Sequence, residues 1–145
     1  MASIFDVAEY ILQKCGDMSV MKLQKLCYYS QAWSLVWDDE ELFPEEFEAW
    51  ATGPICRKLY DLYQGLYKVT AESVPKELLT GSLTENQMDT INHVLEHYAE
   101  KNAQWLSQLT HMEKPWQVAR NGYAPGENCS NTITKASMAE YYGAL

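Results

Sequence analysis

A chain of 145 residues with 20 acidic against 11 basic side chains has room for one domain around one core, and its net charge is −9. Hydrophobic residues at 47% and aromatic residues at 12%, including five Trp and ten Tyr, exclude a disordered chain. The charge argues against unaided binding to nucleic acid, because that affinity comes from Lys and Arg displacing counterions from phosphates, and it favours a basic protein partner. A fold of this length removes roughly 70% of its unfolded surface from water, so no disulfide or metal is needed to hold it. Cys15, Cys27, Cys56 and Cys129 are scattered, without a CxxC pair or a signal peptide. The first three fall in helical apolar patterns, where a thiol acts as a small buried hydrophobe. No apolar run approaches the roughly 20 residues that a membrane helix requires. These features predict a soluble, cytoplasmic protein with reduced cysteines.

Ser3 and Asp6 form a capping-box pattern, and Ile4, Phe5, Val7, Ala8, Ile11, Leu12 and Cys15 recur at helical spacing as far as Gly16. Ser19 caps a second helix whose stripe is Leu23, Leu26, Cys27, Ser30, Trp33 and Trp37, with Lys22, Gln24 and Lys25 placed off the stripe; this helix is the expected centre of the core. After the acidic turn Asp38 to Glu41, Phe47 to Ala51 reads as a brief strand, and Thr52-Gly53-Pro54 breaks the backbone. Pro54 suits the first turn of a third helix carrying Ile55, Leu59, Tyr60 and Tyr63. Gly65 to Ser82 reads as a surface connection. Thr84 with Gln87 caps a fourth helix with Met88, Ile91, Leu95 and Tyr98 inward. A fifth holds Trp105, Leu106 and Leu109, Pro115 starts a further helical turn, 121–131 is a loop, and Thr134 caps a last helix with Met138, Tyr141 and Tyr142. The expected fold is mainly α, one domain of about six helices with a short β-hairpin near Trp50.

Three patterns invite a chemical reading. His93-Val-Leu-Glu96-His97 matches the H-x-x-E-H string of zinc peptidases, but with Leu95 inward both histidines lie roughly 160° away, toward solvent, where no third ligand or shielded cavity is expected. His111 beside a chain break and Cys129 in a loop are the best available nucleophile–base pair, although nothing in the sequence brings them together. Gly53, Gly65 and Gly81 are isolated and make no phosphate loop. We therefore expect no catalytic or metal-binding residues and no cofactor. Among the aromatics, Tyr28 with Tyr29 and Tyr141 with Tyr142 are adjacent, hence about 100° apart on a helix, so at least one of each pair should reach the surface and be available to a partner.

Met21-Lys22-Leu23-Gln24-Lys25-Leu26-Cys27-Tyr28-Tyr29-Ser30-Gln31-Ala32 resembles the "LKLQKLLYYAQ" signature of the Panacea antitoxin domain, the SocA-like or phage-associated GepA-like family. Leu42-Phe43, Phe47-Glu48-Ala49-Trp50, Gly53-Pro54-Ile55 and Leu59-Tyr60 follow its "LF … FEAW … GPV … LY" block, and Leu106-Ser107-Gln108-Leu109-Thr110-His111, Pro115-Trp116 and Ala119-Arg120 follow its "LSxLTH … PW … AR" block. Two departures stand out. Ala51-Thr52 replaces the single residue that often separates the Trp from Gly-Pro, and Cys27 stands where Leu is common.

The resemblance implies a single antitoxin domain over 1–145; many members carry an added N-terminal DNA-binding segment, for which this sequence is expected to have no room, so self-repression at its own promoter is not expected. It implies a bacterial or phage toxin–antitoxin system in which this protein neutralises a toxin, encoded beside it, through direct contact, and in some members passes that toxin to a protease. Alternatives are a phage-encoded protein that blocks a host factor and a small His/Cys or metal hydrolase. The partner-binding or motif candidates are Lys22, Tyr28, Tyr29, Trp50, Gly53, Pro54, Tyr60, Thr110, His111 and Trp116. Physical roles can be assigned to some of them. Gly53 permits positive φ, Pro54 presets a helix start, His111 bonds the carbonyls at a helix end, and Trp50 with Trp116 locks the two halves together.

Overall fold

In the computed structural model, which describes residues 1–145, five of the seven α-helices begin at a Ser, Thr or Asn whose side chain accepts a backbone N–H of the first turn. In chain order the elements are α1 (Ile4–Cys15), β1 (Met18–Ser19), α2 (Val20–Trp37), β2 (Phe47–Trp50), β3 (Gly53–Ile55), α3 (Arg57–Leu62), β4 (Lys68–Val69), α4 (Glu85–Tyr98), α5 (Ala103–His111), α6 (Lys114–Ala119), β5 (Thr132–Ile133) and α7 (Lys135–Gly143). Two 3₁₀ turns, Ala71–Ser73 and Lys76–Leu78, interrupt the connection before α4. The fold is mainly α, and the hairpin near Trp50 is present as β2–β3.

The core is built around α2, which contacts α1, α4, α5, α7 and β3. Being enclosed on nearly every side, α2 has no single apolar stripe. Gln24, Lys25, Tyr28, Tyr29, Ser30 and Gln31 are as buried as Leu23 and Leu26. This corrects the expectation that Gln24 and Lys25 lie off the buried stripe and that one of Tyr28 and Tyr29 reaches the surface. The tyrosines diverge in direction as expected, but each direction meets protein. Tyr28 packs edge-on against Phe47, and Tyr29 stacks on Tyr98 at 4.2 Å. Tyr141 and Tyr142 do follow the expectation, with Tyr142 buried and Tyr141 half-buried.

Interior amides on α2 act as substitute backbone. Gln24 accepts from Cys56 N (2.8 Å) and donates to Cys56 O (3.0 Å), while Gln31 accepts from Leu42 N (2.6 Å) and donates to Phe43 O (2.7 Å). The first of these pins the chain just after the hairpin, and α3 begins only at Arg57 with Cys56 as its N-cap. Pro54 therefore sits in β3 and not at a helix start, as had been expected. It pairs with Ala49 on the edge strand of the antiparallel sheet β3-β2-β5, where a missing N–H is tolerated. Two other short pairings, β1 with β4 and β2 with β5, bring in strands β1, β4 and β5 that the sequence pattern does not announce. Cys15 is exposed, not buried; Cys27, Cys56 and Cys129 are buried, and all four thiols are free.

Asp6 ties α1 to the long connection. Its carboxylate accepts from Ser3 N (2.8 Å), Thr80 N (2.8 Å), Thr80 Oγ1 (2.6 Å) and Gly81 N (3.3 Å). Burial alone would raise its pKa, but these bonds outweigh burial and hold it below the ordinary value. Asp6→Ala is expected to cost about 1–3 kcal/mol in urea unfolding at pH 7. Because the folded pKa is depressed, the Asp6 contribution is complete above the unfolded value of 3.8 and disappears as pH falls through the folded one. The difference between variant and wild type should shrink accordingly below pH 4.

Candidate functional site

The three sequence blocks quoted above converge beneath the tip of the β2–β3 hairpin. Lys25 reaches there from α2, Gly53 from the start of β3, and Thr110 and His111 from the last turn of α5. Gly53 has φ +112°, and a Cβ built on it would lie 2.6 Å from Lys25 Cε, 3.1 Å from Thr110 Oγ1 and 3.3 Å from Lys25 Nζ. Glycine is thus required twice, once by the backbone angle and once by the close approach of the lysine. Above this layer Ser107 Oγ donates to Thr52 O and holds the hairpin tip to α5.

Lys25 is fully enclosed, and its Nζ has no hydrogen-bond partner. Burial lowers its pKa from 10.5 to about 7. His111 stacks on Trp116 at 4.1 Å, and its Nε2 is buried without a partner. Burial lowers the imidazole pKa first; the neighbouring Lys25 and Arg120 lower it further, and the Ala51 backbone acts in the opposite sense. The expected bond from His111 to helix-end carbonyls is replaced by this stacking, and the His111 carbonyl is taken by Gln117 Nε2 (2.8 Å).

Trp116 and Trp50 join the hairpin to α6, as expected for locking residues: Trp116 Nε1 donates to Trp50 O (2.8 Å). Trp50 also donates to Glu48 Oε1 (2.8 Å), meets Tyr60 edge-on at 4.8 Å and lies under the Arg57 guanidinium. Arg120 fastens the rest. It donates to the carbonyls of Ala49 (2.8 Å), Ala124 (2.7 Å), Pro125 (3.3 Å) and Glu127 (2.7 Å), anchoring the 121–131 loop against β2.

Behind this layer lies a second polar cluster. Glu113, the N-cap residue of α6, accepts from Tyr29 Oη and Tyr142 Oη at 2.7 Å each, and the Tyr142 and Tyr28 hydroxyls share a 3.2 Å bond. Burial raises the Glu113 pKa, and the two phenol donors oppose that rise. Tyr28 and Tyr29 are therefore internal struts joining α2 to α6 and α7.

Lys22, also singled out in the sequence, donates to Ala99 O at the C-terminal end of α4 (2.5 Å), where a cation complements the helix dipole. His93 and His97 are exposed as expected, and no group of three or more His, Cys, Asp or Glu is placed to hold a metal. Cys129 Sγ accepts from Asn131 N and lines a cleft of about 490 Å³ with Trp50, Thr52, Arg57 and Tyr123, to which His111 does not belong. Lys25 and Arg120 were missed as site candidates. Their signal is a long cationic side chain inside a quoted motif.

A mainly helical domain with a hairpin held over a buried lysine and a half-buried histidine defines a small α-class module in which most of the quoted motif residues pack inward. The chain belongs to the antitoxin SocA-like family, Panacea domain: that family's model matches residues 23–117, about two thirds of the chain, and the match includes Lys25, Trp50, Gly53, Thr110, His111, Glu113 and Trp116. No curated protein and no solved structure matches the chain. No helix is long and apolar enough to cross a membrane.

Proposed function

We propose that this protein is an antitoxin that neutralises a toxin by direct protein contact, in a bacterial or phage toxin–antitoxin system, within the cytoplasm and without catalysis of its own. The observation that carries this reading is the family match across the hairpin, α2 and α5. The burial of Tyr28 and Tyr29 moves the expected contact surface away from α2. The segments 65–82 and 121–131 supply better anchors, because Leu66, Tyr67 and Tyr123 are exposed there, Tyr67 to 81%. The partner is a basic toxin, steered by the −9 charge, so association should slow as salt is raised. Transfer of the bound toxin to a protease belongs to the same proposal and predicts a shorter toxin lifetime when the antitoxin is present.

Co-expression with each neighbouring gene tests the reading: one neighbour should be toxic alone and harmless with this protein. If no neighbour is toxic, or none is rescued, the antitoxin reading fails, and capture of a host factor in its place would favour the host-blocking alternative. Tyr67→Ser and Tyr123→Ser should each weaken toxin binding by tenfold or more, about 1.4 kcal/mol, while stability stays within about 0.5 kcal/mol because neither ring is part of the core. Titration calorimetry of the variants with the toxin checks this. Unchanged affinity in both would place the interface elsewhere.

A further inference from the structure

His93 and His97 project from one side of α4. They stand four residues apart on a helix of 14 residues, and both are exposed, while Ile91 and Leu95 take the opposite face into the core. Residues so spaced hold their Cβ atoms about 6 Å apart, within reach of one ion bound by both imidazoles. The backbone prepares His93 further, because its Nδ1 lies 2.9 Å from Asp89 O. A carbonyl oxygen can only accept, so in the neutral ring the proton sits on Nδ1 and the Nε2 lone pair is free. Metal-binding histidines are commonly oriented in this way, through a carbonyl on the nitrogen that does not bind the metal. The ring also meets Trp37 edge-on at 6.2 Å, which restricts its rotation. Asp89 and Glu96 are exposed beside the two histidines, and the chain carries a charge of −9, so the local field favours a cation.

We propose that His93 and His97 form a surface chelate for one late first-row divalent ion, Zn²⁺, Ni²⁺ or Cu²⁺. Neutral imidazole suits these ions, whereas Mg²⁺ and Ca²⁺ take oxygen donors. No group of three His, Cys, Asp or Glu side chains is placed to hold a metal, so water fills the remaining positions and the ion exchanges readily. A missing third ligand and a missing shielded cavity tell against a zinc peptidase, but a chelate of two imidazoles open to solvent needs neither. The site belongs to α4 and not to segments 65–82 or 121–131. Its failure would leave the antitoxin reading untouched.

Titration calorimetry of the full chain with nickel chloride and with zinc chloride, in a non-coordinating buffer, tests the site. Each ion should saturate a single site per chain, and an excess of magnesium or calcium chloride should not displace it. His93→Gln and His97→Gln should each weaken binding by roughly tenfold or more, since a lone imidazole has no chelating partner. Both positions are exposed, so the variants should fold as the wild type does, which circular dichroism checks. Cys15→Ser removes the exposed thiol, the other soft ligand open to solvent, and should bind as the wild type does. Absence of saturable binding, or unchanged affinity in either histidine variant, overturns the chelate. Loss of binding in Cys15→Ser would place the ion on the thiol, and displacement by magnesium would place it on the carboxylates; either result overturns the chelate as well.

Discussion

Lys25→Met should stabilise the protein by an amount on the order of 4 kcal/mol at pH 7. Unfolded, the lysine titrates near 10.5; folded, burial brings it to about 7. Between those values the unfolded chain binds a proton that the folded chain refuses, so stability rises with pH across that window. Above 10.5 the amine is neutral in both states and the penalty vanishes, whereas near and below 7 it is fully developed. Each pH unit of separation corresponds to about 1.4 kcal/mol. Methionine keeps the length and apolar stem and removes the titrating amine, so its curve should lack this slope. Urea unfolding of both proteins at pH 7, 8, 9 and 10 measures the difference, which should fall steadily toward zero. A constant difference would mean that the ammonium is compensated in the folded state.

The contrast between what could and could not be read in advance follows from range. Ser3, Ser19, Thr84 and Thr134 cap helices through bonds spanning three residues, so the local sequence contains the whole interaction. The loop at 121–131 was visible from its Gly, Pro and Asn content, but not that Arg120 folds back to hold it. Burial of Gln24, Lys25 and Gln31 was hidden because their partners lie 11 to 32 residues away or, for Lys25, are absent. Polar side chains that replace backbone bonds look like solvent-facing residues until the chain they hold is seen. The same is true of Tyr28 and Tyr29, whose phenols need Glu113 and Tyr142, both from the far end of the chain. Strands of two residues carry no alternation to be recognised, so β1, β4 and β5 are not legible as strands, whereas the four-residue β2 is. Pro54 was misplaced for a related reason: its fixed φ serves an edge strand as well as a helix start, and only the Gln24–Cys56 bonds decide between them. Within the site, Gly53, Thr110, His111 and Trp116 were visible as motif members, but their common function beneath the hairpin depends on Lys25, which links them in space.

Gly53→Ala should destabilise the protein by about 2–6 kcal/mol. Two mechanisms contribute and can be separated. A backbone held at φ +112° strains any residue with a Cβ by about 1–3 kcal/mol, whatever surrounds it. The added methyl would also sit 2.6 Å from Lys25 Cε, and although the end of a lysine is ordinarily flexible, this one is enclosed on all sides, so the overlap is relieved only by displacing the hairpin or α5. Overpacking of that kind costs about 1–3 kcal/mol. Shortening the lysine should recover the second part and leave the first. In a double-mutant cycle, Gly53→Ala should therefore cost about 1–2 kcal/mol less in the Lys25→Ala background than in wild type. Thermal unfolding of the four proteins at pH 9, where the lysine penalty is reduced, provides the measurement. Additive effects would show that the glycine is needed for its backbone angle alone, whereas coupling of the expected sign would identify it as the residue that makes room for Lys25.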